Sequence, residues 1–152
     1  MQKLTNLYDN LVSRLSGPIV ESTALLLTRV ALAGVFWRSG RTKVEEGSLL
    51  EISDTTYFLF EHEYAGVPLP HEIAAPMATY AEHAFPILLV LGLATRFSAF
   101  SLLLMTLVIQ FFVYPEAWWV THILWVAMAG ILLSRGGGLF SLDAIAGKML
   151  ER

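Results

Sequence analysis

The chain has 152 residues, of which 55% are hydrophobic and only 15% charged, with a mean hydropathy of +0.59 and a formal charge of -3. It is too apolar for an ordinary soluble domain, and its length allows roughly four membrane spans of about 20 residues, one sizeable loop and little else. The small net charge excludes a nucleic-acid binder, which needs a clustered basic face. The absence of cysteine excludes disulfide exchange, thiolate metal sites, Fe–S ligation and thioether haem attachment by this chain.

At the N-terminus, Leu4, Leu7, Tyr8, Leu11, Val12 and Leu15 recur at intervals of three and four, with Lys3, Asp9, Asn10 and Arg14 on other faces. This period predicts an amphipathic helix lying along the membrane surface, too polar to span it. A removed signal peptide is not expected, because no basic-led apolar run ends in a cleavage site. Gly17-Pro18 breaks that helix. The first span follows, from about Ile19 or Ser22 to Gly40, with Ala31, Ala33 and Gly34 as small residues for a neighbouring helix.

A loop of about thirty residues separates Lys43 from Glu72, long enough to have a job of its own. It is acidic, yet carries Tyr57, Phe58, Phe60 and Tyr64. Residues 54–64 are expected to form a short helix with Asp54 near its N-cap and its aromatics at headgroup level. The second span starts near Glu72 or Ile73 and runs to Ala94, with Pro76 in its first turn and Pro86 as an interior kink. Thr95-Arg96 reads as a tight turn, residues 97–114 as the third span, and 118–134 as the fourth, opening on Trp118-Trp119. Arg135 and glycines 136–138 stop the last helix before a short amphipathic tail. The expected fold is an all-α, integral-membrane four-helix bundle in one domain, 1–152, with spans at approximately 20–40, 73–94, 97–114 and 118–134.

Six basic residues, Lys3, Arg14, Arg96, Arg135, Lys148 and Arg152, fall on the side of the termini, against Arg38, Arg41 and Lys43 on the other. The imbalance predicts cytoplasmic termini in a bacterial inner membrane and an outward-facing acidic loop. Within the first span, Arg29 must be answered, since an unpaired cation in hydrocarbon costs several kcal/mol, with estimates from about 3 to above 10. Counting depth from the outer helix ends at about 1.5 Å per residue sets Arg29 level with Glu82 and His83. A buried Arg29–Glu82 ion pair is therefore expected. The same count gathers Arg38, Gln110 and His122 nearer the outside, in a polar cavity lidded by the aromatic loop. Each group also has a plainer reading: Arg29 with Glu82 as a fold clamp, His83 bonding a backbone carbonyl, His122 and Gln110 as interfacial anchors, Arg41 and Lys43 snorkelling to headgroups. Glu61, His62, Glu63, His71, Glu72, Glu82, His83 and His122 have ligand chemistry for a metal, but no His pair stands at the i, i+4 spacing of a helical zinc site. No bound metal or haem is expected. No serine stands in a nucleophile elbow, and glycines 136–138 lack the lysine and strand context of a phosphate loop.

The stretches TRVALAGVFWRSGRTK, AEHAFPILLVLGLATR and GGGLFSLD, in that order and spacing, resemble the DoxX family of small four-helix bacterial membrane proteins, with TTYFLFEHEYAGVPLP and FVYPEAWWVTH similar to one bacterial subgroup. The resemblance runs from about Leu25 to Asp143 and excludes the N-terminal helix. By matching position, Arg29, Lys43, Glu82 and the turn from Gly138 to Asp143 are the family-pattern residues. The resemblance implies a link to membrane oxidoreductase systems, including a thiosulfate to quinone oxidoreductase.

The sequence reading is thus an accessory or quinone-interacting subunit of a redox system, at most part of a membrane oxidoreductase. Glu82 and His83 would relay protons as catalytic groups; Arg38, Gln110 and His122 would donate to quinone carbonyls; Trp37 and Trp118 would hold ring and tail. The alternative is a non-enzymatic assembly or transport-related module whose acidic loop binds a partner protein or a metal cation. A redox partner protein and a homodimer are both expected as partners besides the lipid bilayer.

Overall fold

A computed structural model describes residues 2–150. The side chains of Lys3, Leu7, Asn10, Leu11, Arg14 and Leu15 lie outside the described set, as does Arg152, so the stripe expected through Leu7, Leu11 and Leu15 is described only at Leu4, Tyr8 and Val12, all exposed. The chain is all helical: α1 (Gln2–Leu15), α2 (Pro18–Arg41), α3 (Asp54–His62), α4 (His71–Leu91), α5 (Thr95–Phe112), α6 (Ile123–Arg135) and α7 (Leu142–Leu150). A 3-10 turn, Pro115–Ala117, and a π-helical turn, Trp118–His122, lead into α6. Among the described residues no strand forms, only one antiparallel bridge, Val44 with Ile52, within the loop.

Four segments are long and apolar enough to cross a bilayer: α2, α4, α5 and the run from Pro115 through Arg135. Between 17% and 39% of each apolar window is buried in protein, so most of every span faces outwards, presenting residues such as Leu27, Ile87, Phe111 and Leu124. In a soluble protein such apolar cover would be an aggregation hazard; in lipid it is the solvated face. The chain is a multi-pass membrane protein. Its interior is a ring of α2, α4, α5 and α6 around Leu32, Phe36, Leu89, Leu102 and Leu132, with Ala33, Ala99 and Ala129 buried where helices approach. Of the small residues expected to serve that approach on α2, Ala31 and Gly34 face outwards. Gly40 does the work instead: a Cβ there would lie 3.0 Å from Glu82 and from the His83 ring.

The local chemistry explains the boundaries. Gly17 is extended and Pro18 stands at the first helical position, starting α2 cleanly. Pro76, expected in the first turn of its span, lies in the interior of α4 with Pro86. α4 stops at Gly92, whose φ of +68° is the left-handed cap, and the Leu93 N–H returns to the Leu88 carbonyl at 2.9 Å. Thr95-Arg96, expected as a turn, already belongs to α5. Its cap comes from far along the chain: Asp143 accepts hydrogen bonds from the N–H groups of Ala94 and Thr95, both at 2.8 Å, while its own N–H donates to the Gly92 carbonyl at 2.9 Å.

Asp143 lies outside the spans, and its carboxyl is held below the usual value. Burial alone would raise it, but the Thr95 and Ala94 N–H groups and the nearby Arg29 charge outweigh that. A lowered folded value means the stabilisation is complete above the unfolded value of about 3.9 and is lost as pH falls through the folded one. Asp143→Asn is expected to cost about 1 kcal/mol at neutral pH, because an amide can accept only one of the two N–H bonds and loses the charge near Arg29. Thermal midpoints between pH 3 and 7 check this: the wild type should lose stability on the acid side, and the variant should lose less.

The aromatic loop turns inwards more than the sequence implied. Phe60 is buried with Ala74 and Ala75, and Tyr57 and Tyr64 pack on the same cluster. Phe58 is exposed and stacks on His62 at 4.1 Å. The first turns of α4 therefore pack against α3 and its loop, and Tyr80 donates to the Leu50 carbonyl at 3.1 Å.

Candidate functional site

The register of α2 against α4 decides which charges meet. Gly40, at the end of α2, lies beside Glu82, so the stretch 71–81, about 16 Å of helix at 1.5 Å per residue, stands beyond α2. Counting from helix ends assumed level ends, and the Arg29–Glu82 pair fails for that reason. Arg29 is fully buried and reaches the opposite end of α4, donating to the Leu89 carbonyl at 3.2 Å and the Phe140 carbonyl at 2.5 Å. It bolts α2 to the turn after α6.

Glu82 is answered by Lys43. The ammonium lies 2.7 Å from Oε2, with the two side chains 5% and 3% exposed, and it donates also to Ser39 Oγ at 2.9 Å. The loop fixes this lysine from behind: its carbonyl accepts from Thr56 Oγ1 at 2.9 Å and from the Ser53 N–H at 3.1 Å. A buried pair so supported is stable where a lone charge is not. Sequence reasoning named Lys43 as a pattern residue but sent it to the headgroups. The signal available was its place one helical turn after Ser39, at the very end of a span.

Beside the pair lies a cleft of about 310 Å³ between the loop, α4 and α5. Glu82, Tyr64 and Ser101 are its polar lining among the described residues; the rest is aliphatic or aromatic, including Phe60, Phe85 and Met105. A cleft of that size and polarity suits a small apolar ring with one or two hydrogen-bonding oxygens. Tyr64 continues outwards: its ring packs edge-on against Tyr114, with centroids 6.1 Å apart, and the Tyr114 hydroxyl donates to the exposed carboxylate of Glu63. Burial holds both phenols above their ordinary value, with the Glu63 bond adding to the rise at Tyr114, so both stay protonated.

The remaining expected site residues do not gather into one polar cavity. His83 is buried next to Glu82; its Nδ1–H donates to the Thr79 carbonyl at 2.7 Å, and its Nε2 is buried without a partner. Trp37 meets the His83 ring edge-on at 5.2 Å. Gln110 and His122 satisfy each other: His122 Nδ1–H donates to the amide oxygen at 2.7 Å, and the amide nitrogen donates to the Pro115 carbonyl at 2.8 Å. They close the π-helical turn, in which Trp118 is half-buried. Arg38 is exposed and makes no hydrogen bond or ion pair with the described residues. A cation at a helix end reaches water more cheaply than it enters a packed interior. Gly138, with φ of +73°, sits against Ser22 in the turn that carries Asp143. Among the described residues no three His, Asp or Glu side chains converge as metal ligands.

The sequence pattern of the DoxX family matches residues 24–115, more than half of the chain. The chain belongs to the DoxX family. A relative described as an uncharacterized protein, from Haemophilus influenzae, is 30% identical over 139 residues, covering 86% of this chain and 88% of its own. No solved structure matches significantly. The DoxX match contains Arg29, Lys43, Glu82 and the cleft, but ends before the turn from Gly138 to Asp143.

Proposed function

We propose that this DoxX protein is an accessory subunit of a quinone-linked redox system in a bacterial inner membrane, and that the cleft beside Glu82 receives the quinone ring. The carrying observation is one buried, lysine-held carboxylate opening onto a mainly apolar cleft that also holds a phenol and the Ser101 hydroxyl. A quinone supplies two-electron, two-proton chemistry when bound, and a partner subunit supplies the electrons. The chain's own residues would orient the ring through the Tyr64 hydroxyl, exclude water with Phe60, Phe85 and Met105, and hold or release a proton at Glu82 while Lys43 balances its charge. Arg96 at the start of α5, Arg135 at the end of α6 and Lys148 in α7, all on the side of the termini, support cytoplasmic termini, with the loop and Glu63 outside.

A purified protein in nanodiscs should bind decylubiquinone and be stabilised against heat by it. Ala78→Phe, which fills the cleft, should remove binding with a modest change in midpoint. No thermal shift, and no difference between wild type and Ala78→Phe, would refute the reading. A second reading draws on the same ion pair: Lys43 with Glu82 joins the end of α2 to α4, as a clamp in a non-enzymatic assembly or transport-related module would, with the acidic loop receiving a partner protein or cation.

A further inference from the structure

We infer that the pocket at the terminus-facing end of the bundle is a binding site for a phosphoethanolamine headgroup, supplied by a phospholipid of the leaflet around it. The pocket holds about 420 Å³ between the start of α5, the glycine turn after α6 and the start of α7. It lies towards the other membrane face from the pair of Lys43 and Glu82, and it stands whether or not a quinone binds there.

The lining offers donors for a phosphate. Arg96, exposed in the first turn of α5, donates one N–H to the Ser134 carbonyl at 3.2 Å, which leaves most of its guanidinium free. The N–H groups of Gly137 and Gly138 make no hydrogen bond with the described residues. Thr95 lines the pocket and is fully buried, yet its Oγ1 has no hydrogen-bond partner among the described residues. A Cβ on Gly137 would stand 2.7 Å from that oxygen, so the absent side chain is what keeps this part of the pocket open. A buried hydroxyl left unpaired is costly, and a ligand oxygen would satisfy it.

Asp143 supplies the acceptor for an amine. Each of its oxygens takes one backbone N–H at 2.8 Å and keeps a lone pair for a second donor. Those N–H groups and the nearby Arg29 charge hold the carboxyl ionised at neutral pH. Arg29 itself is fully buried with two nitrogens on carbonyls, so Arg96 is the cation left for the ligand. One guanidinium and one carboxylate in a single pocket match a group that carries a phosphate and a primary ammonium. The place matches a lipid. Phe97, at the edge of the pocket, is 61% exposed on the outer face of its span and meets Phe85 edge-on at 5.8 Å, giving an acyl chain an aromatic surface to follow from the headgroup.

The test uses the full chain in dodecyl maltoside, titrated with dioleoyl phosphatidylethanolamine, phosphatidylcholine or phosphatidylglycerol and read by native mass spectrometry. The wild type should hold one phosphatidylethanolamine about tenfold more tightly than either other lipid, since choline has no N–H for Asp143 and glycerol no charge. Arg96→Gln should weaken that binding about tenfold and Thr95→Val about threefold. Arg38→Gln, which removes an exposed cation near the other end of α2, should leave it unchanged. Phosphatidylcholine or phosphatidylglycerol held as tightly as phosphatidylethanolamine overturns the proposal, as does an Arg38→Gln loss equal to that of Arg96→Gln. Displacement of the lipid by an equal concentration of free O-phosphoethanolamine overturns the lipid as the source. The comparison of lipids needs no variant, so it decides the matter even if Thr95→Val fails to accumulate.

Discussion

Arg29→Ala is expected to destabilise the bundle by about 3–5 kcal/mol, the cost of emptying a large buried site and stranding the acceptors it served. The loss has two parts. A fully buried side chain of this size leaves a cavity, and the Leu89 and Phe140 carbonyls each lose a charged donor. Arg29→Lys restores the charge but replaces a planar fork with a single ammonium, so it should recover only part. Gly92 leaves no slack, since a Cβ there would fall 2.0 Å from the Arg29 guanidinium. Midpoints of thermal unfolding in a fixed detergent, and the amount of protein reaching the membrane, measure this; an alanine variant within about 1 kcal/mol of wild type would show that water or lipid replaces the guanidinium.

Glu82→Gln and Lys43→Met should each cost about 3–5 kcal/mol, because each strands the other charge in a dry interior. Exchanging both, as Lys43→Met with Glu82→Leu, should regain most of that loss, since a well-packed apolar pair is often as stable as a buried ionic one. The double variant is the informative protein. If the ion pair is only a clamp, it should keep any function the wild type performs. Under the quinone reading it should fold, yet bind decylubiquinone at least about tenfold more weakly, a difference of about 1.4 kcal/mol. A double variant as unstable as the single ones would show that the pair is coupled to further groups, Ser39 and Thr56 first among them.

Composition and apolar run length were enough to read the membrane bundle, because lipid demands long helices and allows few other solutions. The loop helix and the glycine stops followed from their local residue chemistry. The charge partners did not. Arg29 and Glu82 were matched on the assumption that hairpin helices end level, and the loop helix breaks it by taking up the first turns of α4. Helix rotation was equally hidden: it turns Gln110 towards His122 and leaves Arg38 exposed. Asp143 capping a helix that starts at Thr95, and Tyr64 meeting Tyr114, are contacts between distant segments that no periodicity carries.

The Asp143 cap and the Phe140 carbonyl also set an order of assembly. During synthesis the hairpin of α4 and α5 enters the membrane before residues 140–143 exist, so its connecting turn is left uncapped and Arg29 lacks its second acceptor. Spans insert one by one, but the terminus-facing end of the bundle locks only when the segment after α6 swings back across it. Synthesis of residues 140–143 is thereby the event that closes this end of the bundle.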